Sequence, residues 1–206
     1  GGALTSSAIS GVPALGPVRC KIHATINGGH NGYGVFVVGA VNGGSVVQYA
    51  EDCEIDVTLE GHGLESASVA DGSISATRFM ATRGLKVRGN FIRNESAAIY
   101  LDSSNIGYDI RVAIVDPHSD NFGAPSCVRV VGNDNRGYLD ATFRYADSGL
   151  GTNVATNAVR IESGLTGLDA TFGPSTFIGI DATHLAVTAG TTPGVHYYGM
   201  ASAAGS

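Results

Sequence analysis

The chain has no tryptophan, three cysteines and no cluster of basic residues, and each shortage removes a class of function. Three thiols, Cys20, Cys53 and Cys127, cannot make a disulfide framework, and none stands in the CxxC spacing of a zinc site. They read as free thiols and fix no redox compartment. Twelve Lys and Arg against eighteen Asp and Glu give a net charge of −6, with the cations scattered, so the chain cannot neutralise several phosphates in a row. Nucleic acid is therefore an unsuitable partner. No run approaches the length of a membrane-spanning helix, and no membrane insertion is expected. Apolar residues never recur at i, i+3, i+4 and i+7 over three turns, which argues against helices.

What is present is glycine, at 30 residues, and an apolar share of 43%, enough to build a core. Residues 1–17 and 191–206 are small and punctuated, and read as a linker or entry segment and a tail, in a chain that looks like a fragment of something longer. Between them one pattern recurs. CKIHATING from Cys20, CEIDVTLEG from Cys53, GLKVRGNFI from Gly84, GYDIRVAIV from Gly107, YLDATFRYA from Tyr138 and GLDATFGPS from Gly167 all alternate apolar and polar residues. Their first apolar positions, Ile22, Ile55, Leu85, Tyr108, Leu139 and Leu168, are 33, 30, 23, 31 and 29 residues apart. A second, shorter strand precedes most of them: VVQY from Val46, AIYL from Ala98, CVRV from Cys127 and AVRI from Ala158.

A repeat of two strands without a helix buries its apolar positions by coiling and stacking each turn on the next. The expectation is an all-β fold, a single-stranded right-handed parallel β-helix of about six or seven turns over residues 18–190. Alternation turns Ile22, Ala24, Ile26, Ile55, Val57, Leu59, Leu85, Val87, Phe91, Tyr108, Ile110, Val112, Leu139, Ala141, Phe143, Leu168, Ala170 and Phe172 inward. Cys20 and Cys53 then stack inside on adjacent turns. Outward, one ladder runs His23, Asp56, Lys86, Asp109, Asp140, Asp169, and the next Thr25, Thr58, Arg88, Arg111, Thr142, Thr171. Most of this is a solvated face, but Asp109, Asp140 and Asp169 in register repel unless Arg111 and Arg144 compensate or calcium binds. No other cofactor and no fixed metal site is expected.

With these repeats in hand, the chain resembles the right-handed β-helices of the pectate-lyase-like superfamily, above all bacteriophage tailspikes and tail fibres. The resemblance covers about 170 residues and rests on repeat architecture, without a signature motif. It implies a homotrimer, in a virion tail or otherwise extracellular, that binds bacterial surface polysaccharide, with or without depolymerase activity. A narrower resemblance links Asp116-Pro117-His118-Ser119 to the Asp-Pro-His-Glu motif of alginate C5-epimerases. Here Ser119 stands in the Glu position and Ala113 in that of the upstream Tyr, so the proton-transfer set is incomplete.

Loops that follow the long strands should leave the coil on one side: NGGHNGYG from Asn27, EGHGLESASVADGS from Glu60, RNES from Arg93, DPHSDNFGAPS from Asp116 and ADSGLGTN from Ala146. Asp116, His118, Glu60 and Glu95 are the candidate catalytic groups, because glycoside hydrolysis needs two carboxyls and proton abstraction beside a uronate needs a base with a nearby cation. His30, Tyr33, His62, Arg93, Asp120 and Phe122 are the candidate ligand contacts. Three functions follow: a receptor-binding domain for surface glycans, a polysaccharide lyase, hydrolase or epimerase, and a structural β-helix spacer of a virion. The same loop residues also serve turns and solubility.

Overall fold

The computed structural model describes the backbone of residues 2–4, 16–28, 33–61, 75–94, 97–116, 126–144, 157–161, 169–172, 176–178, 188–189, 195–197 and 201–203, with side chains for 16–28, 33–61, 75–94, 97–116, 127–144 and 159. These residues are all-β, with parallel strands in curled sheets. Sheet A has seven strands: β1 (Gly2–Leu4), β3 (Tyr33–Val38), β8 (Ser75–Met80), β11 (Ile99–Leu101), β13 (Ser126–Val130), β15 (Asn157–Ile161) and β18 (Thr188–Ala189), in that order. Sheet B runs β2 (Lys21–Asn27), β7 (Glu54–Glu60), β10 (Lys86–Ile92), β12 (Asn105–Val115), β14 (Arg136–Arg144), β16 (Asp169–Phe172) and β19 (Val195–Tyr197). β17 (Thr176–Ile178) and β20 (Ala201–Ala203) extend it, and short β6 (Ala50–Glu51) and β9 (Thr82–Arg83) form a third ladder with the start of β12. The chain visits the sheets alternately, so each strand pairs with its counterpart one repeat away, in a β-helix-like arrangement. Strands thus occur also within 1–17 and 191–206, where they pair with β3, β16 and β17.

Two expectations about the strands need correction. VVQY from Val46 is not a member of the second sheet: Ser45–Gln48 is β5, which closes an antiparallel hairpin with β4 (Ala40–Asn42) across Gly43-Gly44. The sheet A strands of those repeats are β3 and β8. The register also differs. Ile22 pairs with Ile55, and Val87 pairs with Ile110 as the alignment of Leu85 with Tyr108 requires, but Ile55 pairs with Val87 rather than Leu85, Leu139 with Ile110 rather than Tyr108, and Leu139 with Phe172 rather than Leu168. Each displacement is an even number of residues, so it leaves side chains on the same face.

For that reason the core is as expected. Ile55, Val57, Leu59, Leu85, Val87, Phe91, Tyr108, Ile110, Val112, Leu139, Ala141 and Phe143 are buried, and Val35, Val37, Phe79, Ile99, Leu101, Val128 and Val130 meet them from sheet A. Each large side chain buried in this way contributes about 1.5–3 kcal/mol. Ile22, Ala24 and Ile26 are half-buried, because β2 is the terminal strand of sheet B's main path. Leu168 and the side chains of Ala170 and Phe172 lie outside what is described. Cys53 is buried beside half-buried Cys20, and burial pushes its thiol pKa up.

The corners of the coil repeat as regularly as the strands. Gly28, Gly61, Arg93 and Asp116 follow the long strands with positive φ; Ala81, Ser104 and Asp134 do so after sheet A, Arg19, Asp52 and Gly84 before the next long strand, and Gly107 at the register shift within β12. Backbone bonds link each corner to the next turn, as from Gly61 N–H to the Ile92 carbonyl and from Arg93 N–H to that of Val115. Next to the second corner stands a ladder of buried side chains. Thr82 donates to Asn105 Oδ1 at 2.8 Å, Asn105 Nδ2 to Asn135 Oδ1 at 2.8 Å, and Asn135 Nδ2 to the Gly132 carbonyl at 2.6 Å. Buried amides stacked in this way satisfy one another and the backbone of the turn.

Candidate functional site

Sheet B brings the loop edge together as expected at the level of the backbone. Asn27, Glu60, Ile92, Val115 and Arg144 are neighbours at the ends of five long strands, so the segments that follow them leave from one edge. Glu60 is exposed there. Asp116 and Arg93 occupy the same corner on adjacent turns, Asp116 at 4% exposure and Arg93 exposed. Beside Arg93, buried Asn94 donates from Nδ2 to the Leu59 carbonyl at 3.0 Å. His30, His62, Glu95, His118, Asp120 and Phe122 lie outside the described residues, as do Pro117 and Ser119. Asp116 therefore has a dual aspect: a candidate carboxylate, and a turn residue in the left-handed region at φ 47°, which aspartate tolerates better than most residues.

The outer face of sheet B accounts for itself. Its observed register puts Lys21, Glu54, Lys86, Asp109 and Tyr138 in one row and His23, Asp56, Arg88, Arg111 and Asp140 in the next. Lys21 meets Glu54 at 2.7 Å and Lys86 meets it at 3.7 Å; Asp109 accepts from Arg88 at 2.7 Å and from Arg111 at 3.0 Å. The expected stack of Asp109, Asp140 and Asp169 does not form, because Asp109 pairs with Tyr138, Asp140 with Arg111, and Asp169 with Arg136. The like-charge repulsion that motivated a calcium ion is thus absent. Burial works against the charge on Asp109, but the two arginines outweigh it and hold its carboxyl below the usual aspartate range. Among the described residues, no group of three or more His, Cys, Asp or Glu side chains could hold a metal.

Sheet A carries a different surface. Its inward residues alternate with an outward row of Phe36, Arg78, Tyr100 and Arg129, and the register places Arg160 beside Arg129. All four described members are half-buried. The Arg78 guanidinium lies 5.3 Å from the Tyr33 ring centre, 5.7 Å from that of Phe36 and 5.3 Å from that of Tyr100, and Arg129 lies 5.5 Å from the other neighbour, Tyr100. Arg78 donates from Nε to Asp102 at 3.1 Å, with a second, short bond from Nη2, and from Nη1 to the Tyr33 hydroxyl at 2.7 Å. Burial opposes its charge, yet these bonds keep its pKa above the ordinary arginine value. Burial raises the Tyr100 pKa, with Asp102 adding to the effect.

This row is a set of guanidinium planes and rings fixed against one another. Cation–π contacts of this kind are worth about 0.5–1 kcal/mol each where solvent reaches them. Of the two expected ligand contacts among the described residues, Tyr33 and Arg93, Tyr33 packs against this row through Arg78. The signal was present in TRFM, AIYL and CVRV, each with an Arg or Tyr between inward residues, but without the register nothing aligned them. Comparison with protein-family models, curated proteins and solved structures finds no match.

Proposed function

We propose that the chain is a glycan-contacting domain of the bacteriophage tailspike or tail-fibre kind, built on a right-handed parallel β-helix of six or seven turns. The hand follows from the strong preference of parallel crossovers for right-handed connection. The observation that carries the functional reading is the outward row of sheet A. Aromatic faces and planar donors, spaced by one strand at roughly 4.8 Å, suit sugar rings, which offer apolar faces and rims of hydroxyls. Bacterial surface polysaccharide is the ligand in this reading, and the virion tail or the extracellular medium is the setting. Association into a homotrimer is part of the same proposal, and the exposed Val41 and Val47 of the β4–β5 hairpin offer an apolar contact for it.

The test is a panel of purified bacterial capsular and lipopolysaccharide glycans immobilised and probed with the whole chain. Saturable binding to at least one, weakened by Tyr100→Leu, is expected. A folded chain that binds none of them overturns the reading in favour of a structural spacer. Release of reducing ends or of unsaturated uronate during the same incubation would assign depolymerase activity as well.

A further inference from the structure

We infer that Cys20 and Cys53 are the site of a disulfide between adjacent turns of the coil, formed by exchange with a low-molecular-weight disulfide such as oxidised glutathione. Backbone pairing brackets the two cysteines on both sides with one offset: Val18 bridges Glu51 in parallel, and Lys21 pairs with Glu54 at the start of β2 and β7. Cys20 therefore stands opposite Cys53, and Glu54 N–H donates to the Cys20 carbonyl at 2.8 Å. The residues that precede them take the same left-handed corner, Arg19 at φ 53° and Asp52 at φ 52°, so both cysteines leave their corners alike. Residues in register on adjacent strands lie roughly 4.8 Å apart, within the span of about 4.4–6.8 Å between Cα atoms that a disulfide bridges. Both thiols also turn to one stretch of backbone. Cys20 Sγ donates to the Val18 carbonyl at 3.8 Å, and Cys53 Sγ reaches out of its own turn to the Pro17 carbonyl at 3.8 Å, with the Glu51 carbonyl at 3.6 Å.

Unequal access orders the chemistry. Cys20 is half-buried, whereas Cys53 is at 1% exposure. Cys20 therefore meets the reagent: its thiolate attacks one sulfur of the small disulfide, the other sulfur leaves as a thiolate, and a mixed disulfide remains on Cys20. Cys53 then gives up its proton and attacks Cys20 Sγ, which expels the second reagent thiolate. Two protein thiols are oxidised, one small disulfide is reduced to two thiols, and the two protein thiol protons pass to the released thiolates. Cys127 takes no part, because its backbone partner is Ala98 and its thiol is buried at 2% exposure. The bridge removes freedom from the unfolded chain. It does so where the coil is least packed, since Ile22, Ala24 and Ile26 of β2 are only half-buried.

The experiment incubates the whole chain, reduced and folded, with oxidised glutathione, alkylates the remaining thiols after unfolding, and maps the cysteines by digestion and mass spectrometry. A Cys20–Cys53 link within one chain is expected, with Cys127 recovered alkylated. The urea midpoint should rise on oxidation and return to its starting value in dithiothreitol. Cys20→Ala, a change at the half-buried member of the pair, should show one midpoint with and without the oxidant, and a folded Cys53→Ser should stop at glutathione bound to Cys20. Circular dichroism reports whether each variant is folded, and the mapping of the parent chain stands independently of both. Thiols that stay reduced in the folded parent, glutathione retained on its Cys20, or a link between two chains each overturn the inference. So does a Cys20–Cys53 bridge that leaves the midpoint unchanged or lowers it, or a midpoint that rises equally in Cys20→Ala.

Discussion

Sheets A and B grow from the same repeat and enclose the same core, yet their outer faces have different physics. On sheet B the side chains are long, exposed and matched in sign: Lys21 and Glu54 retain 77% and 43% exposure while in contact. On sheet A the corresponding pair, Arg78 and Asp102, is at 28% and 15% and is wrapped by Tyr33, Phe36 and Tyr100. Matched exposed charges keep a face soluble and in register at little energetic consequence. Half-buried arginines held on rings go beyond what a solvated face requires, and this difference is the basis for the glycan-binding proposal on sheet A.

The strongest way to break the comparison is to disturb the register on which sheet B's matching depends. Gly89, in the middle of β10, has φ 142°, and a Cβ there would lie 1.8 Å from the Val57 carbonyl oxygen. Gly89→Ala must push β10 away from β7 and is expected to cost about 3 kcal/mol or more, from backbone conformation and overpacking together. Urea denaturation measures it. A loss below about 1 kcal/mol would mean that the strand can shift without disturbing the ladder, which is less than overpacking alone typically costs.

Asp102→Ala comes next. It leaves the Arg78 guanidinium half-buried without its carboxylate, and a loss of about 2 kcal/mol is expected from the charged hydrogen bonds. Lys21→Ala, the parallel change on sheet B, should cost no more than about 0.5 kcal/mol. Equal costs in the two variants would erase the energetic distinction between the faces.

These two sheets were unequally legible in the sequence, for a physical reason. Period-two alternation fixes which face a residue takes, and a slip of two residues leaves that choice intact, so Leu85 and Tyr108 were rightly placed inside and in register with each other, while their registers against β7 and β14 were not. Register depends on the corners, and those are occupied by Gly, Asp, Arg, Ser and Ala alike. The asparagine ladder was hidden because Asn105 and Asn135 stand in the short polar segments DSSN and GNDNR, which read as turns, and only the stacked repeats show that they bond to each other. Sheet A's strand at Tyr33–Val38 was missed because β5 offers another apolar run nearby, and that at Ser75–Met80 because Thr77 and Arg78 interrupt its apolar residues. At the loop edge, shared strand ends were predictable from the repeat, but convergence of side chains depends on unequal loops that the repeat does not specify.

A smaller effect sharpens the comparison through pH. Asp109 has its carboxyl depressed below 3.8, burial opposing and Arg88 and Arg111 outweighing it, and Glu54 is held below 4.5 mainly by Lys21. Groups with lowered folded-state pKa stabilise above their ordinary values and lose that contribution as the pH falls through the folded ones. Sheet B should therefore weaken in acid. Asp109→Asn is expected to lower stability at neutral pH and to flatten the acid limb of a urea-midpoint titration. An unchanged acid limb would remove Asp109 from the balance of sheet B.

The smallest expected change has the opposite sign. Arg93 holds φ 51° at a corner where the two preceding turns use Gly28 and Gly61, so Arg93→Gly relieves a conformation that costs most residues about 1–2 kcal/mol. Glycine's greater freedom in the unfolded chain offsets part of this, and a net gain of up to about 0.5 kcal/mol is expected in urea denaturation. Arg93 is also a candidate ligand contact at the loop edge, remote in register from the row of sheet A. If it contacts the glycan, the same variant gains stability and loses affinity, and strain is being retained for a function. If affinity is unchanged while Tyr100→Leu loses it, recognition resides on the outer face of sheet A rather than in the loops.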